Sequence, residues 1–262
     1  MTTIVSCYYL LPNNKKRSIE SYMFWIFNFL THCDTPIVMF SDGPIADEMD
    51  RIRNATFPTK WLLIRRPLEQ LKFSSPEYMS YFNKVSTITP PDVFKIWVNK
   101  AFLTKEIAEQ NPFNTSSFLW CDAGCWRDMR ITTMYGPGWP RKQVSALTMT
   151  WIDNSLRDIR KIICPVSLED CVKEYSSAIV NKPSVAGAIF GGSFECIQTL
   201  CDVFSKVLEI CIKENIPIGT DQEILAFSAI WLQQIIPVAF YDKYTQPVPE
   251  GTDEWFLFQT IL

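Results

Sequence analysis

FLWCDAGCWRD, residues 118–128, is a short apolar run that stops at an acid. Phe118 to Cys121 read as a buried strand. Asp122 stands where that strand should end, Gly124 follows, and Arg127 and Asp128 come soon after. A carboxylate there is either a turn residue or a ligand-facing group. In open α/β sheets, ligands bind beyond the carboxyl ends of the strands. The fold around this stretch decides between the two.

Working outward, TIVSCYY, 3–9, reads as a buried strand. Residues 18–32 read as a helix, with Ile19, Tyr22, Met23, Ile26, Phe27 and Leu30 at helical spacing and Ser18 as its N-cap. PIVMFS, 36–41, is a second strand ending at Asp42-Gly43-Pro44, and a short helix over 45–53 leads to a third, KWLLIR, 60–65. Alternation of this kind predicts a parallel sheet covered by helices. Residues 66–89 have no clear period and read as a functional loop. Thr89 caps the next helix, with Pro90 in its first turn, and that helix runs to about Glu109. The fourth strand is 117–121, so Asp122 lies at its carboxyl end.

Beyond it, SALTMTW, 145–151, and VAGAIF, 185–190, read as strands, the latter stopped by Gly191-Gly192. Ser193 opens a helix to about Glu214, and another starts at Thr220. IIPVAF, 235–240, reads as an edge strand, because Pro237 cannot donate to a ladder. No repeat or linker divides the chain. The reading is one α/β domain with a central sheet flanked by helices.

Composition narrows the function. Net charge is −3, and basic residues cluster only at Lys15-Lys16-Arg17, which argues against a nucleic-acid surface. The longest apolar run, Tyr22 to Leu30, is too short for a bilayer and is interrupted by Asn28, so no transmembrane segment is expected. The nine cysteines are odd in number and sit mostly in apolar runs, with no leader-like stretch ahead of the first strand. That pattern predicts free thiols in a reducing, cytoplasmic setting. Cys121 and Cys125 lack the CxxC spacing of a zinc site. The single histidine, His32, rules out HExxH chemistry and suits a helix C-terminus.

Several polar groups fall at strand ends: Asp42, Arg65-Arg66, Asp122 and Gly191-Gly192. Each alone fits a surface turn. Together they suit a nucleotide diphosphate. Asp42 would accept from a base or ribose, and Asp122 would hold a divalent cation against the diphosphate. Gly124 would let backbone approach phosphate, and Lys100 or Arg127 would add positive charge. Gly191 and Gly192 offer close approach, next to the free N–H groups of the helix that starts at Ser193. No GxGxxG and no GKS or GKT occurs, which disfavours dinucleotide oxidoreductases and ordinary kinases. In GTDQEILAF, 219–227, Thr220 and Glu223 have capping-box spacing. Asp221 and Gln222 are left in the first turn, either as a good helix start or as an acid and amide facing a hydroxyl-rich substrate. With His32 poorly placed, Asp221 is the candidate base.

TPPDVFKIWVNKAFL…NPFNTSSFLWCDAGCWRD resembles the HtrL/YibB-like family of glycosyltransferases. The resemblance rests on Phe94-Lys95-Ile96-Trp97-Val98-Asn99-Lys100, on Asn111-Pro112-Phe113 and on Trp120-Cys121-Asp122-Ala123-Gly124. AIFGGSFE and TDQE extend it. It implies a GT-A-like fold with a mixed central sheet, 1–128 forming a Rossmann-like nucleotide-donor half and 129–262 an acceptor half, and transfer of a sugar from a nucleotide-sugar, a UDP-sugar first, to a hydroxyl of a glycan or glycoprotein. It also implies Mn²⁺ or Mg²⁺ at an Asp-x-Asp motif. Asp122 matches the first acid, but Gly124 stands at the second. The late acid Asp221 would deprotonate the acceptor if the reaction inverts, the scheme favoured here, or orient the sugar if it retains. Two rival readings remain: an inactive glycan-binding module using Trp126 and Trp139, and a nucleotidyltransferase, which would want paired carboxylates for two metals.

Overall fold

Every residue of TTIVSC is buried. Such a strand has no solvent face, which is the mark of a sheet covered by helices on both sides. In a computed structural model, described over residues 1–11, 17–85, 90–127, 135–152, 167–182, 184–242 and 254–262, this segment is β1 (Thr2–Cys7). Its side chains alternate between two cores. Val5 and Cys7 join one, with Trp120, Phe190 and Leu225. Ile4 and Tyr8 join the other, with Phe29, Leu119 and Trp126.

The chain continues through α1 (Ile19–His32), β2 (Ile37–Ser41), α2 (Gly43–Thr56) and β3 (Trp61–Arg65). Ser18 caps α1 by accepting from Ser21 N–H at 3.2 Å. His32 ends α1, its Nδ1 3.0 Å from the Asn28 carbonyl. The first three strands and both helices lie within a few residues of their expected places.

Two expectations over 66–110 need correction. The stretch expected as a loop carries a 3-10 turn (Leu68–Gln70) and α3 (Pro76–Val85). Tyr78, Tyr81 and Phe82 recur at helical spacing there, and the last two are buried. The single helix expected to run to Glu109 is two, α4 (Pro91–Trp97) and α5 (Lys100–Gln110). At the break, Asn99 Nδ2 donates to the Lys95 carbonyl at 2.7 Å and Oδ1 accepts from Phe73 N–H at 3.3 Å. The interruption makes Lys100 the first residue of α5. Thr89, the expected cap, lies outside the described residues. Asn111 ends α5 in a left-handed conformation (φ 41°), which asparagine tolerates better than most residues.

β4 (Ser117–Cys121) falls where expected. Then come β5 (Leu147–Trp151), α6 (Leu168–Ile179), β6 (Val185–Gly192), α7 (Phe194–Lys213), α8 (Asp221–Leu232), β7 (Val238–Asp242) and α9 (Leu257–Ile261). The seven strands form one mixed sheet, ordered β3-β2-β1-β4-β6-β5-β7. β3, β2, β1 and β4 are mutually parallel; β6 runs against both β4 and β5, and β7 is parallel to β5. Strands from both sides of residue 128 therefore share a sheet. β7 is the edge strand expected, shifted to follow Pro237 rather than contain it. No helix among the described residues is long and apolar enough to cross a membrane.

This order places the site. From β1 the chain builds outward to β2 and β3, then crosses back to lay β4 on β1's other side. The gap between the carboxyl ends of β1 and β4 is a topological switch point, where helices diverge and leave a crevice.

Candidate functional site

A cleft opens at that switch point. One part is lined by Tyr8 and Tyr9 after β1, by Tyr22 and Trp97 on helices, and by Asp122 and Gly124 after β4. A second part is lined by Arg127, Gly187, Asp221, Gln222 and Trp255. Trp97, Lys100 and Asp122 border both. The two parts enclose about 110 and 160 Å³. Each is below the ~300 Å³ at which drug-sized pockets begin, so a large ligand would have to span both, across Asp122. A wider depression shares no lining residue with this cleft; within it Arg66 pairs with Glu106 and Lys105 with Asp202.

At the centre is an ion triad. The Lys100 ammonium lies 3.0 Å from Asp122 Oδ1 and 2.9 Å from Asp221 Oδ2, and donates to the Gly187 carbonyl at 2.9 Å. These contacts bring together the starts of α5 and α8, the end of β4 and the middle of β6. Asp122 Oδ1 also accepts from Trp120 Nε1 at 2.8 Å, and Asp122 N–H donates to the Ala188 carbonyl at 2.8 Å. Lys100 and Asp221 are buried, whereas the Asp122 side chain is 36% exposed toward the cleft region.

Burial works against the Lys100 ammonium, but Asp122 and then Asp221 outweigh it and hold its pKa above the ordinary lysine value. Burial pushes the Asp221 carboxyl up, Lys100 pulls it down, and the net direction is upward. In a simple pair the acid would fall as the base rises. Here one cation faces two anions, so the ammonium is stabilised by both acids while Asp221 also meets the like charge of Asp122.

Gly187 makes the triad possible. A Cβ there would sit 2.3 Å from Asp221 Oδ2 and 2.7 Å from its Cγ. Gly187→Ala is therefore expected to push Asp221 off Lys100 and to lower stability by about 1–3 kcal/mol, an ordinary overpacking cost. Thermal melts check this, and an unchanged melting temperature would show that the contact is not needed.

Gly124 is also closely packed: a Cβ would meet Trp25 at 3.1 Å and Tyr22 at 3.3 Å. Arg127 Nε donates to the Gly124 carbonyl at 3.2 Å, and its guanidinium lies over the rings of Trp25 and Phe256, 5.0 and 4.6 Å from their centroids. Tyr9 Oη is buried with no hydrogen-bond partner. Burial pushes its pKa upward, so it stays a neutral donor at the cleft wall.

Of the residues singled out in the sequence, the fold gathers Lys100, Asp122, Gly124, Arg127, Asp221 and Gln222 around one cleft. Asp42 stands nearby at the end of β2 without lining either part. Gly191 and Gly192 are not brought there, and this corrects the expectation. β6 is antiparallel, so its last residues pair with the start of β4, Gly192 with Phe118 and Gly191 with Leu119. Their tight contacts are to the backbone of Phe118, Leu119 and Ala146 and to side chains of Leu119 and Cys196. The same reversal brings Gly187 and Ala188 to Asp122 instead. Asp128 lies outside the described residues. Glu223 is a cap, as expected: its Oε2 accepts from Thr220 N–H at 2.9 Å and its Oε1 from Asn181 N–H at 2.7 Å.

Trp126 and Trp139 are fully buried and pack against each other and Tyr135. Neither offers a face to a glycan, so a binding module could not use this pair. Cys121 and Cys125 are buried with their sulfurs 3.1 Å apart, and burial pushes both thiols up. Among the described residues no cluster of three or more His, Cys, Asp or Glu is arranged to hold a metal ion.

A scan against protein-family models finds no match, and neither does a search of curated proteins. Fold and site together define an α/β protein with a mixed seven-stranded sheet and a polar cleft at its switch point.

Proposed function

We propose that the protein is a glycosyltransferase of GT-A-like fold, moving a sugar from a nucleotide-sugar, a UDP-sugar first, to a hydroxyl of a glycan or glycoprotein. The observation that carries this reading is the meeting of Asp122, at the end of β4, with Asp221-Gln222, at the start of α8, through Lys100 in one divided cleft. The mixed sheet supports it, with four parallel strands on the donor side and β6 reversed on the other. So does the resemblance of residues 90–128.

The two parts of the cleft suit the two ends of such a donor. Tyr8, Tyr9, Tyr22 and Trp97 give the first part aromatic walls for a base and ribose. Asp221 and Gln222 give the second part acceptors for sugar hydroxyls. The diphosphate would cross between them, within reach of Arg127.

The donor set around Asp122 does not fit a divalent cation. Asp122 is one carboxylate with Oδ1 already engaged twice, Gly124 replaces a second acid, and Asp221 is committed to Lys100. Without a metal, a carboxylate repels phosphate and attracts hydroxyl. Asp122 is therefore assigned to hydroxyls of the ribose or sugar.

In the reaction the acceptor oxygen bonds to the anomeric carbon as the bond from that carbon to phosphate oxygen breaks. The electron pair leaves with the diphosphate, through an oxocarbenium-like transition state. Arg127 and the field of Lys100 oppose the charge that develops there. Asp221 is 2% exposed and pinned by Lys100, which suits an orienting acid better than a base that must meet the acceptor. The acceptor proton then passes to a departing phosphate oxygen, the retaining alternative.

A thermal-shift screen of nucleotides and UDP-sugars tests the donor site, and stabilisation by a UDP-sugar is the expected result. No shift with any nucleotide, with or without Mn²⁺, would refute it. Asp221→Asn is expected to keep UDP binding and to lose about 100-fold or more in turnover. Full activity would remove Asp221 from the mechanism.

A further inference from the structure

We infer that Lys100 is the resident cation of this cleft: its ammonium occupies the position between Asp122 and Asp221 that a divalent ion would need, so a diphosphate ligand binds without added metal. The inference deepens the donor-site reading and rests on it for the identity of the ligand. The geometry of Lys100 stands apart from that reading.

Three oxygens surround the ammonium at 2.9–3.0 Å: two carboxylates and the Gly187 carbonyl. The cage is all oxygen, the donor type that hard cations take, at the distances of an ammonium rather than of a metal ion. Lys100 is placed there against two opposing effects. It is buried, which costs an ammonium its hydration. It is also the first residue of α5, where the helix dipole disfavours positive charge. Packing alone would be met by a leucine or methionine. A buried ammonium at a helix N-terminus is accounted for by the two acids that face it. Those acids are drawn from separate elements, and Gly187 is bare of a side chain where Asp221 must fit.

Removing the ammonium should therefore convert the cage into a metal site. Two carboxylates and a carbonyl would remain, open to the cleft on the Asp122 side. Lys100 acts on ligand through these acids, and is a positioning residue.

The test titrates Mn²⁺ alone, followed by electron paramagnetic resonance, into the wild type, Lys100→Ala and Lys100→Ala/Asp221→Asn. UDP titrations in EDTA and in Mn²⁺ run in parallel. The wild type is expected to show no Mn²⁺ site that depends on Asp122. Lys100→Ala should gain one at least about tenfold tighter than any wild-type site, and the double variant should lose it. Wild-type UDP affinity should be the same in both buffers. Lys100→Ala should bind UDP about tenfold more weakly in EDTA and recover in Mn²⁺, a rescue that a merely structural lysine would not give.

A wild-type Mn²⁺ site abolished by Asp122→Asn would overturn the inference, as would wild-type UDP binding that requires Mn²⁺. Neither of these arms needs the Lys100 variant to fold. If UDP fails to bind in either buffer, the donor-site reading falls, and the Mn²⁺ titration still decides the role of Lys100.

Discussion

Asp122→Ala is expected to weaken UDP-sugar binding by about 10- to 100-fold, the loss of a hydrogen bond from ligand to a charged group. Turnover should fall at least as far. The fold should survive, because the side chain is 36% exposed and belongs to the loop after β4 rather than to the core. The substitution also strips Trp120 Nε1 of its acceptor and leaves Lys100 with the Asp221 carboxylate and the Gly187 carbonyl. A modest drop in melting temperature should therefore accompany the loss of ligand. Calorimetric titration of UDP and a product assay check both parts. Asp122→Ala with wild-type affinity and rate would show that the strand-end acid is a turn residue after all.

The second large effect concerns stability. Lys100→Met keeps the stem of the side chain and deletes its charge, leaving the buried Asp221 carboxylate facing Asp122 with no cation between them. Breaking a buried pair from one side costs about 3–5 kcal/mol, on the order of 10 °C in a chain of this size. The pH dependence has a definite sign. The folded pKa of Lys100 lies above its unfolded value of 10.5. Its stabilising contribution is thus complete below 10.5 and is lost only as pH rises through the folded value. At pH 7 the variant loses all of it.

Asp221 works in the other direction. Its folded pKa is raised above 3.8, so the folded state binds the proton more tightly and stability from this group grows as pH falls through that window. Without Lys100 the rise is larger. The deficit of Lys100→Met should therefore be larger at pH 7 than in acid, where Asp221 takes up its proton. Calorimetric melts from pH 7 downward check it. Equal stability of variant and wild type at pH 7 would mean that the triad contributes nothing to the fold.

Much of the fold was legible because the central strands are apolar on both faces. TTIVSC, IVMFS and SFLWC are buried throughout, and such runs stand out whichever way the strand turns. Asp122 was legible for the same reason: an acid closing such a run is conspicuous. Strand direction was not. Nothing in VAGAIFGG states that it runs against its neighbours, since direction is set by how the chain returns to the sheet. That one reversal sent Gly191 and Gly192 to the wrong end.

Gly187 carried a usable signal. A glycine in mid-strand often marks a close approach by another group, and here that group is Asp221. The partner of Lys100 carried none. Residues 100, 122 and 221 meet only because α5, β4 and α8 converge, and no local spacing records that. Trp126 and Trp139 could enter a rival reading for a related reason, as aromatic content alone does not separate core from binding surface.

The most direct test is a crystal structure with a non-hydrolysable UDP-sugar. The base and ribose are expected between Tyr9, Tyr22 and Trp97. The diphosphate should cross beside Arg127, a ribose or sugar hydroxyl should lie on Asp122, and the sugar should reach Asp221 and Gln222. A nucleotide bound on any other face, or an empty cleft at saturating ligand, would contradict the proposed donor site.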